Sequence, residues 1–149
     1  DAEGKLTFRE AHIILDAGAY VSWGPTIPYV MMNSFSSLYR VTNVSFATSI
    51  AYTNNIYAGA FRGYGNPQLA FARESLIDEI AEKLEIDPLD LRLKNRVRVG
   101  DPNPIARKFQ PDWKITSCGL KECILKGAER IGWERRKKLR HVSKAKKEV

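Results

Sequence analysis

No apolar run in the 149 residues approaches the roughly 20 needed to cross a bilayer, and the charged start from Asp1 to Lys5 has no signal-peptide pattern. The chain therefore reads as soluble, unexported and cytoplasmic. Metal-binding residue types are scarce as well. The two cysteines, Cys118 and Cys123, stand five apart, outside any CxxC spacing, so they form no metal or redox motif. Cys123 is expected to pack as a small apolar residue on a helix. His12 and His141 have no partner in sequence, which argues against a zinc site. No internal repeat is present. Hydrophobic residues make up 44% and charged residues 28%, near globular averages, which excludes wholesale disorder and leaves one domain with a real core. The first residue is Asp1 and not Met, which points to a piece of a longer chain.

A net charge of +7 hints at nucleic acid until it is divided along the chain. From Trp133 to Val149 eight Lys/Arg stand against Glu134 and Glu148, a net of +6, which leaves only +1 for the body. Residues 1–132 read as the folded part and 133–149 as a basic tail. Such a tail without interleaved aromatics reads as a solvated extension.

Hydrophobic periodicity gives the elements. Residues 6–15 are β-prone, with Leu6 and Phe8 in one parity and Ala11, Ile13 and Leu15 in the other, so a strand with a bulge or kink near Arg9 and Glu10 is expected. Gly24-Pro25 through Pro28 reads as a break. The segment from Tyr29 to Tyr39, if helical, must be buried against several neighbours, with Met31 and Met32 filling gaps in the core. Val44, Phe46, Thr48, Ile50 and Tyr52 alternate with small residues, the best strand in the chain and one fit for a sheet covered on both sides. A helix from Leu69 to Leu84 carries Leu69, Phe71, Leu76, Ile77, Ile80, Ala81 and Leu84 on a broad apolar face. Asp87-Pro88 caps a short helix to about Asn95, residues 103–114 form a loop, and Ser117 opens a last helix stopped by Gly132. The fold class is α+β, a few-stranded sheet packed with about four helices. Two or three strands do not make a full sheet, so other segments are expected to complete it.

The most informative stretch is Ala60-Phe61-Arg62-Gly63-Tyr64-Gly65-Asn66-Pro67-Gln68 at the start of the long helix. Gly63 and Gly65 suit a tight turn, while Asn66 and Pro67 read as the cap and first helical residue. The free N–H groups of the first turn, the positive end of the helix dipole and the Arg62 guanidinium together suit an anion or a cofactor. A plain connecting turn is the bland alternative. A sharper rival is a small basic RNA-binding module, because Arg62-Gly63-Tyr64-Gly65 fits the first four positions of the RNA-recognition signature. Asn66 and Pro67 break that signature, since proline cannot donate to a central sheet ladder.

With these motifs in order, the chain resembles the molybdenum hydroxylases, the xanthine dehydrogenase and aldehyde oxidase family. The resemblance covers most of residues 5–132. It rests on Asp16-Ala17-Gly18-Ala19-Tyr20, on Tyr39-Arg40-Val41-Thr42-Asn43-Val44, on Tyr52-Thr53-Asn54, and on Ala60-Phe61-Arg62-Gly63-Tyr64-Gly65 with Pro67-Gln68. Glu74 to Asp78, Ile86 to Arg92 and Lys94-Asn95 fit as well.

The resemblance implies part of the molybdopterin-binding catalytic subunit of an oxidoreductase that hydroxylates an aromatic heterocycle or aldehyde with water-derived oxygen. Phe61, Arg62 and Gly63 are then cofactor-binding. Arg62 lies near molybdenum without being a direct ligand, and Tyr64 lines the substrate pocket. The cofactor is molybdopterin in a dinucleotide form, with iron–sulfur clusters and FAD on other segments or subunits. The partners are those remaining segments and a small-molecule substrate, with no membrane and no nucleic acid. No catalytic residue is expected in residues 1–149, because the family's glutamate base lies downstream of Val149, and the piece alone is expected to be inactive. Copper-containing carbon monoxide dehydrogenases carry Cys in the Gly63 position, which argues against that substrate. Purine hydroxylases have an arginine about where Tyr29-Val30-Met31 stands, which argues against xanthine.

Overall fold

The computed structural model describes residues 1–102 and 112–137. The centre of the expected loop at residues 103–111, His141 and the tail from residue 138 onward lie outside the described residues.

Strand β1 (Phe8–Gly18), helix α1 (Thr26–Ser36) and strand β2 (Asn43–Tyr52) form a strand–helix–strand unit. The two strands pair in parallel, Phe8 opposite Asn43 through Asp16 opposite Ala51, and among the described residues they are the whole sheet. The expected kink at Arg9-Glu10 is absent. Alternation runs unbroken from Phe8 to Asp16, and the irregularity falls between Asp16 and Gly18. Arg9 causes the difference, because it occupies an inward position with Ala11, Ile13 and Leu15 and lays its guanidinium 4.5 Å over the Phe35 ring. Its three guanidinium nitrogens are buried without hydrogen-bond partners. Burial, with Arg73 nearby, lowers its pKa to about 10.

Helix α1 begins earlier than its sequence suggested and runs through Pro28. A proline is tolerated there because the first-turn N–H groups have no intrahelical acceptor to lose. Met31 and Phe35 are buried, and with Leu69 they form a core packed against Ala11, Ile13, Ile27 and Phe46 of the sheet and helix. Only this face of the sheet is covered among the described residues. On the other face Ile14 is 70% exposed and His12 Nε2 sits 3.2 Å from Ser49 Oγ, so the described residues do not cover the sheet on both sides.

Helix α2 (Asn66–Lys83) buries a single stripe, Leu69, Arg73, Ile77 and Ala81, at four-residue spacing. Phe71 and Leu76, expected on the buried face, are 77% and 53% exposed: Phe71, two residues from Leu69, lies on the far side of the helix, and the stripe includes the charged Arg73. Helix α3 (Pro88–Asn95) is capped as expected. Asp87 Oδ1 accepts from Leu89 N at 2.8 Å and Asp90 N at 3.3 Å. Leu91 is fully buried beside Tyr39, Ile77 and Ala81, a side chain whose burial stabilises by about 2–3 kcal/mol. Asn95, also buried, is fully used. Its Oδ1 accepts from Leu6 N at 2.8 Å, and its Nδ2 donates to Gly4 O at 2.7 Å and Leu91 O at 2.9 Å. The N-terminal segment is thereby tied to α3.

Helix α4 (Leu120–Arg130) starts on Gly119 with no side-chain cap, so Ser117 does not open it. Gly132, with φ of +63°, ends it as its sequence suggested. The helix buries no residue, and Cys123 is exposed, not packed. Cys118 lies before the helix, its Sγ 3.6 Å from Val97 O. A further helical turn at residues 133–137 returns to the body. Trp133 Nε1 donates to both Asp87 oxygens at 3.3 Å, and Lys137 Nζ pairs with Asp87 at 3.3 Å. The first residues of the basic segment are therefore docked on the α3 cap. Among the described residues no helix is long and apolar enough to cross a membrane.

Candidate functional site

The turn ahead of α2 is built from three consecutive residues with positive φ, Gly63 at +88°, Tyr64 at +53° and Gly65 at +91°. Gly65 is the helix cap and Asn66 is already helical, so the capping role expected of Asn66 belongs to the glycine before it. Packing explains why. A Cβ on Gly65 would stand 2.5 Å from Met31 Cγ and 2.9 Å from Ile27 Cγ2, so only a glycine lets α2 begin against α1. Gly63 faces the same limit from Pro67, whose Cδ would be 2.6 Å from an added Cβ. The turn is closed by Tyr64 N donating to Phe61 O at 2.8 Å and Asn66 N donating to Gly63 O at 2.9 Å.

This geometry holds Tyr64 in a left-handed conformation that is costly for a non-glycine residue. A 2.5 Å hydrogen bond between its hydroxyl and Thr26 Oγ1 on the first turn of α1 anchors it there. Asn66 Oδ1 is buried without a hydrogen-bond partner.

Ahead of the turn every residue from Asn54 to Gly63 is exposed. Phe61 is 81% exposed, and Arg62 is exposed with no ion pair among the described residues. A groove of about 380 Å³ opens between this segment, the C-terminal end of the sheet and the start of α2, with Ile13, Leu15, Met31, Phe61 and Leu69 in its walls. Phe61, Gly65 and Gln68 line it; Arg62, Gly63 and Tyr64 do not. The loop thus brings Phe61 to the groove, leaves Arg62 facing outward beside it, and turns Tyr64 back to α1.

At the start of the segment stands a carboxylate that sequence reasoning did not single out for a role. Asp16 Oδ1 accepts from Gly18 N at 2.8 Å and Thr53 Oγ1 at 2.6 Å, and Asp16 Oδ2 accepts from Asn55 Nδ2 at 2.6 Å. The bonds from Thr53, Gly18 and Asn55 lower the Asp16 pKa and keep it ionised. Asp16 and Asn55 lie 39 positions apart, so no local spacing reveals the contact.

The arrangement offers an anion-accepting corner. A guanidinium without an ion pair among the described residues stands beside the N-terminal end of an 18-residue helix, next to an apolar groove. Among the described residues no group of three or more His, Cys, Asp or Glu could hold a metal ion. An exposed arginine without an ion pair among the described residues, beside a turn with two glycines, fits an oxygen- and sulfur-rich anionic cofactor. It does not fit a stacking RNA platform, because residues 60–65 form a loop leading into α2 and not a strand. The RNA-binding alternative is set aside on that ground.

Comparison with known proteins agrees. Residues 1–96 match the family model described as molybdopterin cofactor-binding domain. The chain is 40% identical over 135 residues to a xanthine dehydrogenase molybdenum-binding subunit of Escherichia coli O157:H7, covering 91% of this chain and 17% of that protein. It is 38% identical over 106 residues to an aldehyde oxidoreductase of Megalodesulfovibrio gigas, covering 71% of this chain and 12% of that protein. Among solved structures, quinoline 2-oxidoreductase from Pseudomonas putida 86 superposes with a TM-score of 0.81 at 25% identity, over 98% of this chain and 19% of that one. The chain thus spans less than a fifth of each of these three relatives. It belongs to the molybdopterin cofactor-binding domain family of the xanthine dehydrogenase and aldehyde oxidoreductase type.

Proposed function

We propose that this chain is the part of a molybdenum hydroxylase catalytic subunit in which residues 60–65 meet the cofactor, and that the whole enzyme hydroxylates an aromatic heterocycle or an aldehyde with oxygen taken from water. The carrying observation is Arg62, an exposed guanidinium without an ion pair among the described residues, beside a turn of three positive-φ residues at the start of α2. The names of two relatives, an aldehyde oxidoreductase and a quinoline 2-oxidoreductase, support the substrate classes.

When bound, the cofactor supplies the two-electron oxidation of the substrate carbon. The chain's own residues bind and orient. Arg62 offers a fixed positive charge with up to five N–H donors to anionic or terminal oxygen and sulfur atoms. Gly63 leaves the backbone bare beside it. Phe61 walls the apolar groove, and Tyr64, its hydroxyl engaged by Thr26, sets an aromatic ring at the far end of the turn, outside the groove, for a planar substrate. The general base, a glutamate, the iron–sulfur clusters and FAD belong to other segments or subunits, so residues 1–149 alone are inactive, and the cofactor is a dinucleotide form in a cytoplasmic enzyme.

The test is Arg62→Met in the full-length protein, with Lys83→Met at the far end of α2 as a control. Molybdenum per chain by plasma mass spectrometry and turnover of quinoline and benzaldehyde are measured for each. Loss of at least tenfold in turnover or in bound molybdenum for Arg62→Met alone is expected. Equal values in both variants would sink the assignment.

A further inference from the structure

Two of the sequence motifs, Asp16-Ala17-Gly18-Ala19-Tyr20 and Tyr52-Thr53-Asn54, have no part in the reading above, and the structure brings them together. Residues 53–58 are laid along the end of β1. Thr53 N donates to Gly18 O at 3.0 Å, Ala19 N to Asn55 O at 3.1 Å, and Ala58 N to Ala17 O at 3.1 Å. Gly18 permits the approach, since a Cβ there would overlap Ile56 O and stand 2.6 Å from Tyr57 Cα. The side chains complete it, with Asp16 taking hydrogen bonds from Thr53 and Asn55 at once, while Asn55 N donates to Thr53 Oγ1 at 3.2 Å.

Beyond Ala58 the chain reaches Phe61 in three residues, and Asp16, Ala17, Ala58, Gly59 and Phe61 all line the same groove. At its other end the turn is tied, among the described residues, through Tyr64 and the start of α2. The exposed span from Gly59 to Gly63 therefore hangs between two anchors, and its own side chains make no hydrogen bond or ion pair to the rest of the described structure.

We infer that Asp16, acting through Thr53 and Asn55, is a positioning residue that fixes where Phe61 and Arg62 stand. It does so by clamping the entry to their loop. The inference rests on the proposed function for its consequence, and on the geometry alone for the clamp.

Three variants of the full-length protein test it. Asn55→Asp sets two carboxylates against each other. Asp16→Asn with Asn55→Asp swaps the partners and restores a donor opposite an acceptor. Asp16→Ala removes the clamp. Hydrogen exchange read by mass spectrometry on peptides from residues 54–65 and 66–95 reports the loop separately from α2 and α3. Molybdenum per chain and turnover of the probe found active for the unaltered protein report the site. Exchange of the loop is expected to rise at least tenfold in Asn55→Asp and Asp16→Ala, with α2 and α3 within twofold. Turnover or molybdenum falls at least threefold, and the swap recovers both.

Unchanged loop exchange, an equal rise in α2 and α3, or no recovery in the swap would each overturn the clamp. A loosened loop with full turnover and molybdenum would overturn its positioning role. An unaltered protein without molybdenum would instead overturn the proposed function, leaving the exchange result to judge the clamp by itself.

Discussion

Two carboxylates in this chain each gather three donors, and they do different things. Glu74, half-buried on α2, accepts from Tyr39 Oη at 2.7 Å, Arg73 Nε at 2.9 Å and Arg92 Nε at 3.0 Å, and so joins α2 to α3 and to the connection ahead of β2. Arg73 also donates to Ser34 O at 2.8 Å, and Arg92 pairs with Asp78 at 2.7 Å, so the network extends to α1 and back along α2. Asp16 is exposed and ties one loop to one strand end. The same acceptor chemistry holds the fold together where water is excluded, and sets a local path where it is not. A buried ion pair lost is strongly felt; an exposed one contributes little to global stability.

The contrast breaks most sharply at Glu74. Glu74→Ala leaves the Arg73 side chain, 5% exposed, without its carboxylate, and should cost about 2–3 kcal/mol in urea unfolding of the full-length protein. Tyr39→Phe removes one donor and should cost about 1 kcal/mol by the same measurement.

Acid sharpens the comparison. Burial pushes the Glu74 pKa up, but the hydrogen bonds from Tyr39, Arg73 and Arg92 outweigh it and hold it below its ordinary value of 4.5. A depressed carboxylate contributes stability that is present above its unfolded pKa and is lost as pH falls through the lower folded value. Unfolding midpoints measured below pH 4.5 should therefore fall steeply in the unaltered protein, and less steeply in Glu74→Gln than in Asp16→Asn.

At the small end, Asp16→Ala should move the unfolding midpoint less than any change at Glu74 while loosening residues 54–65 in hydrogen exchange. If the two carboxylates shifted global stability equally, the division between them would be wrong.

The elements were legible where one residue or one period decides them. Asp87 before Pro88 sets the start of α3, Gly132 ends α4, and the alternation from Val44 to Tyr52 is β2. Periodicity failed where a charged side chain took an inward place. Arg9 hid the true parity of β1, and Arg73 took a place in the buried stripe of α2, from which Phe71, two residues from Leu69, points away. It failed again at Cys123, because α4 buries no residue in this chain and gives a small apolar side chain nothing to pack against. The loop at residues 60–65 was legible as a turn from its glycines. What holds it was not, since the Asp16 contacts with Thr53 and Asn55 span 37 and 39 positions. The bond between Thr26 and Tyr64 spans 38. Such pairs follow from the parallel strand–helix–strand path, not from local pattern.

The central claim is that the cofactor sits at residues 61–63 beside the groove. The most direct measurement is crystallography of the full-length protein at the molybdenum absorption edge, which locates the metal by its anomalous signal. A peak next to Phe61, Arg62 and Gly63 at the groove mouth is the expected result. A peak remote from this loop, across the open face of the sheet or beside α4, would contradict the account.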